Sequence, residues 1–110
     1  IKVRWFGGPS NLHAVWDTEL IEYESMGYTE FVEFIDHATE VQINAWQQAP
    51  ILEWARESRA LLEGVYDVGS DQDGLPNLRF YYVFKNKATV QQRLLQAGIR
   101  LAGVLNAIFT

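Results

Sequence analysis

The sequence predicts an all-α fold, a multi-helical domain preceded by a short extended segment. Apolar residues recur at spacings of three and four along most of the chain, which is typical of helices with one buried face. Capping residues, glycines and prolines separate these stretches at helical lengths. Strand-like alternation is confined to the first six residues. With 110 residues, 48% of them hydrophobic, the chain is expected to form one helical domain over residues 1–110.

The first helix is expected after an extended lead-in and a turn. Residues 1–6 alternate apolar with basic side chains, and residues 7–10, Gly-Gly-Pro-Ser, predict a turn. Ser10 or Asn11 can cap the helix that follows, which is expected to reach about Tyr23. Five apolar residues are expected on its buried side: Leu12, Val15, Trp16, Leu20 and Tyr23.

The middle of the chain predicts three further helices. Thr29 is a candidate cap for the first, whose apolar face contains Phe31 and Phe34. Thr39 can cap a short second helix that extends through Trp46. Pro50 is suited to the first turn of the third. Residues that recur at intervals of three and four predict that this third helix continues to Val65. These residues are Ile51, Trp54, Ala55, Ser58, Leu61, Leu62 and Val65.

The last part of the chain predicts a loop followed by a long helix. Residues 68–75 are rich in Gly, Ser and Asp, which is typical of a loop. The aromatic run at residues 80–84 fits either a strand or a helix face, and the surrounding helices favour a helix. Its rings can stack nucleic acid bases, although core packing is favoured. Gly98 and Gly103 each cost about 1 kcal/mol within a helix and indicate close approach of another helix. The long C-terminal helix is expected to bury one stripe of seven residues: Val90, Leu94, Ala97, Leu101, Val104, Leu105 and Ile108.

Composition excludes several classes of function. The net charge of −5 has the wrong sign for a protein that holds nucleic acid through a Lys/Arg surface. Because there is no cysteine, disulfides and thiolate metal sites are excluded. No stretch approaches the ~20 apolar residues that a membrane span needs. A Gly-rich phosphate loop and a Gly-x-Ser-x-Gly nucleophile motif are also absent from the sequence.

His13 and Asp17 form the candidate metal site. Residues four apart leave the same face of a helix, and an imidazole and a carboxylate at this spacing can share one metal ion. The same spacing also fits a solvated or hydrogen-bonded pair. A catalytic zinc usually takes three protein ligands, so we expect any further ligands upstream of Ile1. The other histidine, His37, follows a predicted helix end, where a structural role is expected.

Two charged groups favour structural roles. Glu53 and Glu57 could form a paired-carboxylate site, but a helix face with salt bridges to Arg56 and Arg59 is favoured. Arg100 lies within the apolar C-terminal helix, where an arginine is expected to anchor a carboxylate or a carbonyl of the fold. We therefore expect no catalytic residue and no organic cofactor site in this segment.

Three motifs, in order, resemble one enzyme family. Residues 11–17, N-L-H-A-V-W-D, resemble the N-L-H-x-x-W-D motif of the zinc-dependent single-strand-specific nucleases of moulds, plants and bacteria. Residues 54–58, W-A-R-E-S, are similar to the family's W-A-x-E-S helix. Residues 97–106 resemble its closing A-G-x-R-L-A-x-x-L-N helix. The resemblance covers almost the whole chain, but only the C-terminal portion of a typical nuclease domain, whose N-terminal half would be absent.

The resemblance implies a fold, a cofactor and a reaction. The family shares a mostly helical fold with zinc phospholipase C and binds three Zn²⁺ ions. It hydrolyses single-stranded DNA and RNA to 5′-phosphorylated products through a metal-activated hydroxide, and many members also act on 3′-nucleotides. By motif, His13 and Asp17 would be ligands of one zinc. The implied partners are single-stranded nucleic acid or nucleotides and the N-terminal half of the same protein, in a secreted or periplasmic location without a membrane.

Two alternatives remain at this point. The first is a zinc phospholipase or another phosphoesterase of the same fold. The second is a non-catalytic helical fragment. Because two ligands cannot build the three-zinc cluster, the chain alone is expected to be inactive.

Overall fold

The computed structural model describes residues 1–70 and 74–110. The chain divides into two compact units, the first formed by Ile1–Met26 and Leu61–Val90, and the second by Gly27–Ala60 and Gln91–Thr110. The loop expected at residues 68–75 lies partly outside the described residues. As predicted, most of the described chain is helical.

A small sheet begins the first unit. Strands β1 (Lys2–Trp5) and β2 (Gly8–Asn11) pair antiparallel, and β3 (Asn77–Leu78) pairs in parallel with the other side of β1. The turn predicted at residues 7–10 is confirmed at Gly7, but residues 8–10 belong to strand β2. The chain reverses at Phe6 and Gly7, whose φ angles are 50° and 84°. Glycine adopts this left-handed backbone without strain, which allows the tight reversal.

The helical segment predicted after the sheet is confirmed, with one departure from α-helical geometry. Helices α1 (Leu12–Ala14) and α2 (Leu20–Glu22) flank a π-helical turn at Val15–Glu19. As predicted, Leu12, Val15 and Leu20 are buried, but Tyr23 is 41% exposed. The segment is held by the hydrophobic core of the first unit: Val3, Leu12, Val15, Leu20, Leu78, Tyr82, Val83 and Val90.

The second unit contains helices α3 (Tyr28–Ile35), α4 (Glu40–Gln48) and α5 (Ile51–Ala60). The Thr39 cap is confirmed, since its hydroxyl accepts from Gln42 N and the Gln42 side chain accepts from Thr39 N. The Thr29 cap is wrong, because α3 begins at Tyr28 with Gly27 in the capping position.

The third predicted helix of the middle region is shorter than expected. It ends at Ala60 instead of Val65, and the short helix α6 (Leu62–Val65) follows. Leu61, between them, has φ −89° and ψ −10°, which departs from regular α-helical geometry. The apolar spacing alone could not reveal this break, because it continues across Leu61.

The last helix, α7 (Phe80–Phe109), confirms the helical prediction for the aromatic run. Its predicted buried stripe is mostly wrong. Val90 is buried, but the other six residues are exposed in this chain: Leu94, Ala97, Leu101, Val104, Leu105 and Ile108. In the second unit α7 instead directs Gln96 and Arg100 inward, where Arg100 pairs with Glu57 of α5. Within the described ranges, no helix is both long and apolar enough to cross a membrane.

Candidate metal centre

The candidate site begins where strand β2 passes into helix α1. Asn11 is the last strand residue and has an extended backbone, with φ −143° and ψ 160°. Its Oδ1 accepts from the N–H of Ala14 at 2.8 Å and so caps the helix. The Leu12 N–H donates to the carbonyl of Ile1 at 2.9 Å, next to the hairpin. These two bonds set where His13 leaves the helix.

His13 and Asp17 lie on one face of this segment. The Nε2 atom of His13 is 3.0 Å from Oδ2 of Asp17, and their side chains are 86% and 68% exposed. Leu12 and Val15 are buried in the core of the unit, so the pair faces water. An imidazole nitrogen and a carboxylate oxygen are both atoms that zinc binds. The two donors thus fit a metal site in chemistry and exposure, and their role as ligands remains a prediction.

The π-helical turn contains Asp17. At its end, the N–H of Leu20 donates to the carbonyl of Val15, five residues earlier. Single π-helical turns are rare and frequently occur at functional sites. Nothing in the residue pattern predicted this turn, since its side chains fit an ordinary helix equally well.

A hydrogen-bonded relay fixes the helix face beside the pair. Trp16 Nε1 donates to the hydroxyl of Tyr82 at 2.8 Å, and this hydroxyl donates to the carbonyl of Val65 at 2.7 Å. Tyr82 is only 4% exposed, and burial raises its pKa, so the hydroxyl keeps the proton that it donates. The relay joins the candidate site to α6 and α7. The sequence predicted Trp16 on the buried side of the helix and did not indicate that Tyr82 is its partner.

A second bond holds the far end of the π-helical turn. The hydroxyl of Ser10, on strand β2, donates to Oε2 of Glu19 at 2.8 Å. Because Ser10 precedes His13 and Glu19 follows Asp17, this bond closes the backbone segment that contains both candidate ligands. The sequence indicated a turn or a helix cap at Ser10 and did not indicate its bond to Glu19.

Glu57 has a structural role in the second unit. Arg100 donates to its two carboxylate oxygens at 2.6 and 2.8 Å, and Arg93 donates to one of them at 3.0 Å. The hydrogen bond from Arg100, opposed by burial and supported by Arg93, lowers the pKa of Glu57 to about 2. A carboxylate held this strongly in its charged form is a poor general base near neutral pH.

Glu53 and Arg100, the other charged candidates, also make structural contacts. Glu53 pairs at the surface with Arg56 at 3.3 Å, as predicted, but Glu57 pairs with arginines of α7 and not with its neighbours on α5. The prediction for Arg100 is confirmed, since it binds the Glu57 carboxylate and also donates to the carbonyl of Trp46 at 3.0 Å.

His37 and most of the aromatic run remain at the surface. His37 lies just after the C-terminal cap of α3, at the expected helix end. Core packing is confirmed for Tyr82, but Phe80, Tyr81 and Phe84 are 67%, 76% and 75% exposed.

Across residues 1–70 and 74–110, no three His, Cys, Asp or Glu side chains gather where they could hold a metal ion.

Comparison with known proteins places the motifs in a family. The family model of the S1/P1 nucleases matches residues 1–110. The chain is 30% identical over 123 residues to Endonuclease 3 of Arabidopsis thaliana, covering 100% of this chain and 42% of that protein. It is 28% identical over 130 residues to Endonuclease 2 of the same plant, covering 99% and 42%. The chain thus spans about two-fifths of the length of these curated relatives. It belongs to the S1/P1 nuclease family.

Proposed function

We propose that this chain is the C-terminal part of a zinc-dependent nuclease. The complete enzyme hydrolyses phosphodiester bonds of single-stranded DNA and RNA to 5′-phosphorylated products and also acts on 3′-nucleotides. The observation that carries the proposal is the exposed His13–Asp17 pair within a chain that the family model matches throughout. The relatives are named endonucleases, which supports nucleic acid over phospholipid as the substrate.

His13 and Asp17 would hold one zinc of a three-zinc cluster, and the N-terminal half of the protein would provide the other ligands. Their donor atoms, their position on one face and their exposure to water support this assignment. When bound, zinc supplies a nucleophilic water near neutral pH and offsets negative charge on the phosphate. This chemistry agrees with a net charge of −5, because phosphate would then not depend on a Lys/Arg surface.

The other residues of the site would orient the pair before the metal binds. Asn11 fixes the start of the helix, and the Ser10–Glu19 bond closes the segment that contains the pair. The relay from Trp16 to Tyr82 holds the neighbouring face. By family membership we also propose that the protein is exported, to the periplasm or outside the cell.

The test is His13→Ala in the complete protein expressed from the parent gene. We expect the variant to bind less zinc and to lose at least about 100-fold in cleavage of denatured DNA, since a ligand matters more than the groups behind it. His37→Ala, at the other histidine, is the matched control and should keep full zinc and activity. Parallel assays on 3′-nucleotides and on phosphatidylcholine vesicles determine the substrate class. Full zinc content and full activity in His13→Ala would show the assignment to be wrong.

A further inference from the structure

Within the second unit, helix α7 presents an apolar face to solvent. Its inward side is polar, since Gln96 and Arg100 are only 6% and 5% exposed. Its opposite side exposes large apolar side chains. We call this side the outer face of α7, and it consists of Leu94, Gly98, Leu101, Leu105 and Ile108. The four apolar side chains are 36%, 58%, 43% and 65% exposed.

This orientation is the reverse of that of an ordinary surface helix. A helix at the surface of a complete domain directs its apolar stripe toward the core and its charged side toward water. Here the Glu57–Arg93–Arg100 cluster occupies the inward side, which leaves the leucines outside. A contiguous exposed apolar patch of this kind marks an interaction surface.

The spacing along the outer face indicates that its partner is a helix. The five residues follow one another at intervals of four, three, four and three. This is the alternation by which one helix packs lengthwise against another. A groove of about 280 Å³ lies alongside, lined in part by Leu101, Val104 and Trp54, and can receive side chains from such a partner.

Gly98 lies on the outer face and leaves room for close helix packing. A glycine inside a helix costs about 1 kcal/mol relative to alanine, so it needs a reason. At Gly103 the reason lies within this chain, because an added Cβ would be 3.0 Å from Gln47 Cγ. An added Cβ at Gly98 would meet no described atom within 4 Å. The close approach that the sequence predicted is thus absent at Gly98 among the described residues, and a helix from elsewhere would find room there.

The flanks of the stripe argue against a second copy of this chain as that partner. Two-stranded coiled coils place charged residues beside the apolar seam, where they set pairing between chains. The positions beside the outer face are instead uncharged: Leu95, Ala97, Ala102 and Val104. Such a helix is apolar well beyond one stripe and suits the interior of a larger domain. The relatives that this chain matches contain more than twice its length.

We propose that a helix from the part of the nuclease domain outside this chain packs lengthwise on the outer face of α7, with its backbone closest at Gly98. The inference rests on the proposed function only in treating the chain as part of a larger nuclease domain. It does not depend on zinc, on the substrate or on the roles of His13 and Asp17.

Thiol labelling tests the buried state of this face. The chain has no cysteine, so Leu101→Cys introduces one at the outer face, and Arg59→Cys places a control on the exposed side of α5. Labelling is followed peptide by peptide by mass spectrometry. In the complete protein we expect Leu101→Cys to react at least about tenfold more slowly than in the 110-residue chain, whereas Arg59→Cys reacts equally in both. Equal reactivity of Leu101→Cys in both proteins, or protection in the short chain that grows with its concentration, would overturn the proposal.

Gly98→Ala provides a second test with a smaller change. In the 110-residue chain the added methyl group meets no described neighbour, so the thermal midpoint should rise by about 4 °C. In the complete protein the midpoint should fall, because the methyl group would meet the partner helix. Gly103→Ala, the control, should change the midpoint by the same amount in both proteins, because its nearest neighbour, Gln47, lies within the chain. An equal rise for Gly98→Ala in both proteins would contradict the packing. If the outer face is protected in a complete protein without nuclease activity, the packing holds and the proposed function fails.

Discussion

At the residue scale, the hydroxyl of Tyr82 connects three elements of the first unit. It accepts from Trp16 Nε1 in the π-helical turn and donates to the carbonyl of Val65 in α6, while its own ring lies in the buried part of α7. Trp16 stands between His13 and Asp17 in sequence. The orientation of the candidate ligands is therefore coupled to one buried hydroxyl group.

We predict that Tyr82→Phe lowers the free energy of unfolding by about 1–3 kcal/mol, because Trp16 Nε1 and the carbonyl of Val65 both lose their partner. Urea denaturation measures this difference. Tyr81→Phe is the matched control, since Tyr81 is 76% exposed, and its effect should be small. If the two variants were equally stable, the relay would contribute nothing to the fold.

The sequence predicted single residues well where their spacing or their chemistry was distinctive. The four-residue spacing placed His13 and Asp17 on one face, and the apolar surroundings of Arg100 indicated that it anchors groups of the fold. The role of Tyr82 could not be predicted in this way. Four of the five residues at 80–84 are aromatic, so the run has no periodicity that separates Tyr82 from Tyr81.

At the element scale, one ion cluster joins α5 to α7. Glu57 binds Arg100 and Arg93, and Arg93 also donates to Ser58 at 2.6 Å. The guanidinium group of Arg100 lies 5.1 Å from the centre of the Trp54 ring, where a cation–π contact adds to the attraction. The helix pair is thus held by charge-assisted hydrogen bonds in addition to apolar contacts.

This cluster should make stability depend on acid pH. In the folded chain the pKa of Glu57 is about 2, below its ordinary value of 4.5, because Arg100 and Arg93 stabilise the carboxylate. A carboxylate with a lowered pKa stabilises the folded state above pH 4.5, and this stabilisation is lost as the pH falls toward 2. Because Glu57 is partly exposed to water, we expect its share of the loss to be about 1–2 kcal/mol.

The measurement compares wild type with Glu57→Gln by urea denaturation at several pH values. The variant has no charge to lose, so the stability difference between the two proteins should shrink by that amount between pH 4.5 and pH 2. For Glu53→Gln, which removes a surface ion pair on the same helix, the difference from wild type should change little. If the difference in free energy of unfolding between wild type and Glu57→Gln stayed constant across this pH range, the proposed stabilisation would be ruled out.

The sequence predicted elements where capping chemistry was explicit and failed where tertiary contacts decide. Thr39 caps α4 as expected, and the Gln42 side chain completes a capping box that was not predicted. By contrast, residues 8–11 became a strand through pairing with β1, which turn-forming residues such as Gly8 and Pro9 do not reveal. The outward position of Leu101 was also unpredictable, because periodicity identifies an apolar stripe but not the partner that covers it.

At the scale of the whole molecule, the chain has surfaces that its described residues do not cover. In the first unit, Phe80, Tyr81 and Phe84 are at least two-thirds exposed, and in the second unit the outer face of α7 is open. Because the chain spans about two-fifths of the relatives' length, both surfaces are consistent with the larger domain proposed above. The resemblance of three ordered motifs anticipated this partial coverage. Which faces are exposed could be learned only from the structure.

The same incompleteness predicts that the 110-residue chain alone does not cleave nucleic acid. A catalytic zinc usually takes three protein ligands. The candidate site offers His13 and Asp17, and nowhere in the described part of the chain do three suitable side chains gather. Purified chain supplied with Zn²⁺ should therefore leave denatured DNA intact under conditions in which we expect the complete protein to degrade it. The chain carrying both His13→Ala and Asp17→Ala serves as the control for contaminating nucleases. Zinc-dependent cleavage by the wild-type chain that disappears in this double variant would show that the segment builds a working site by itself.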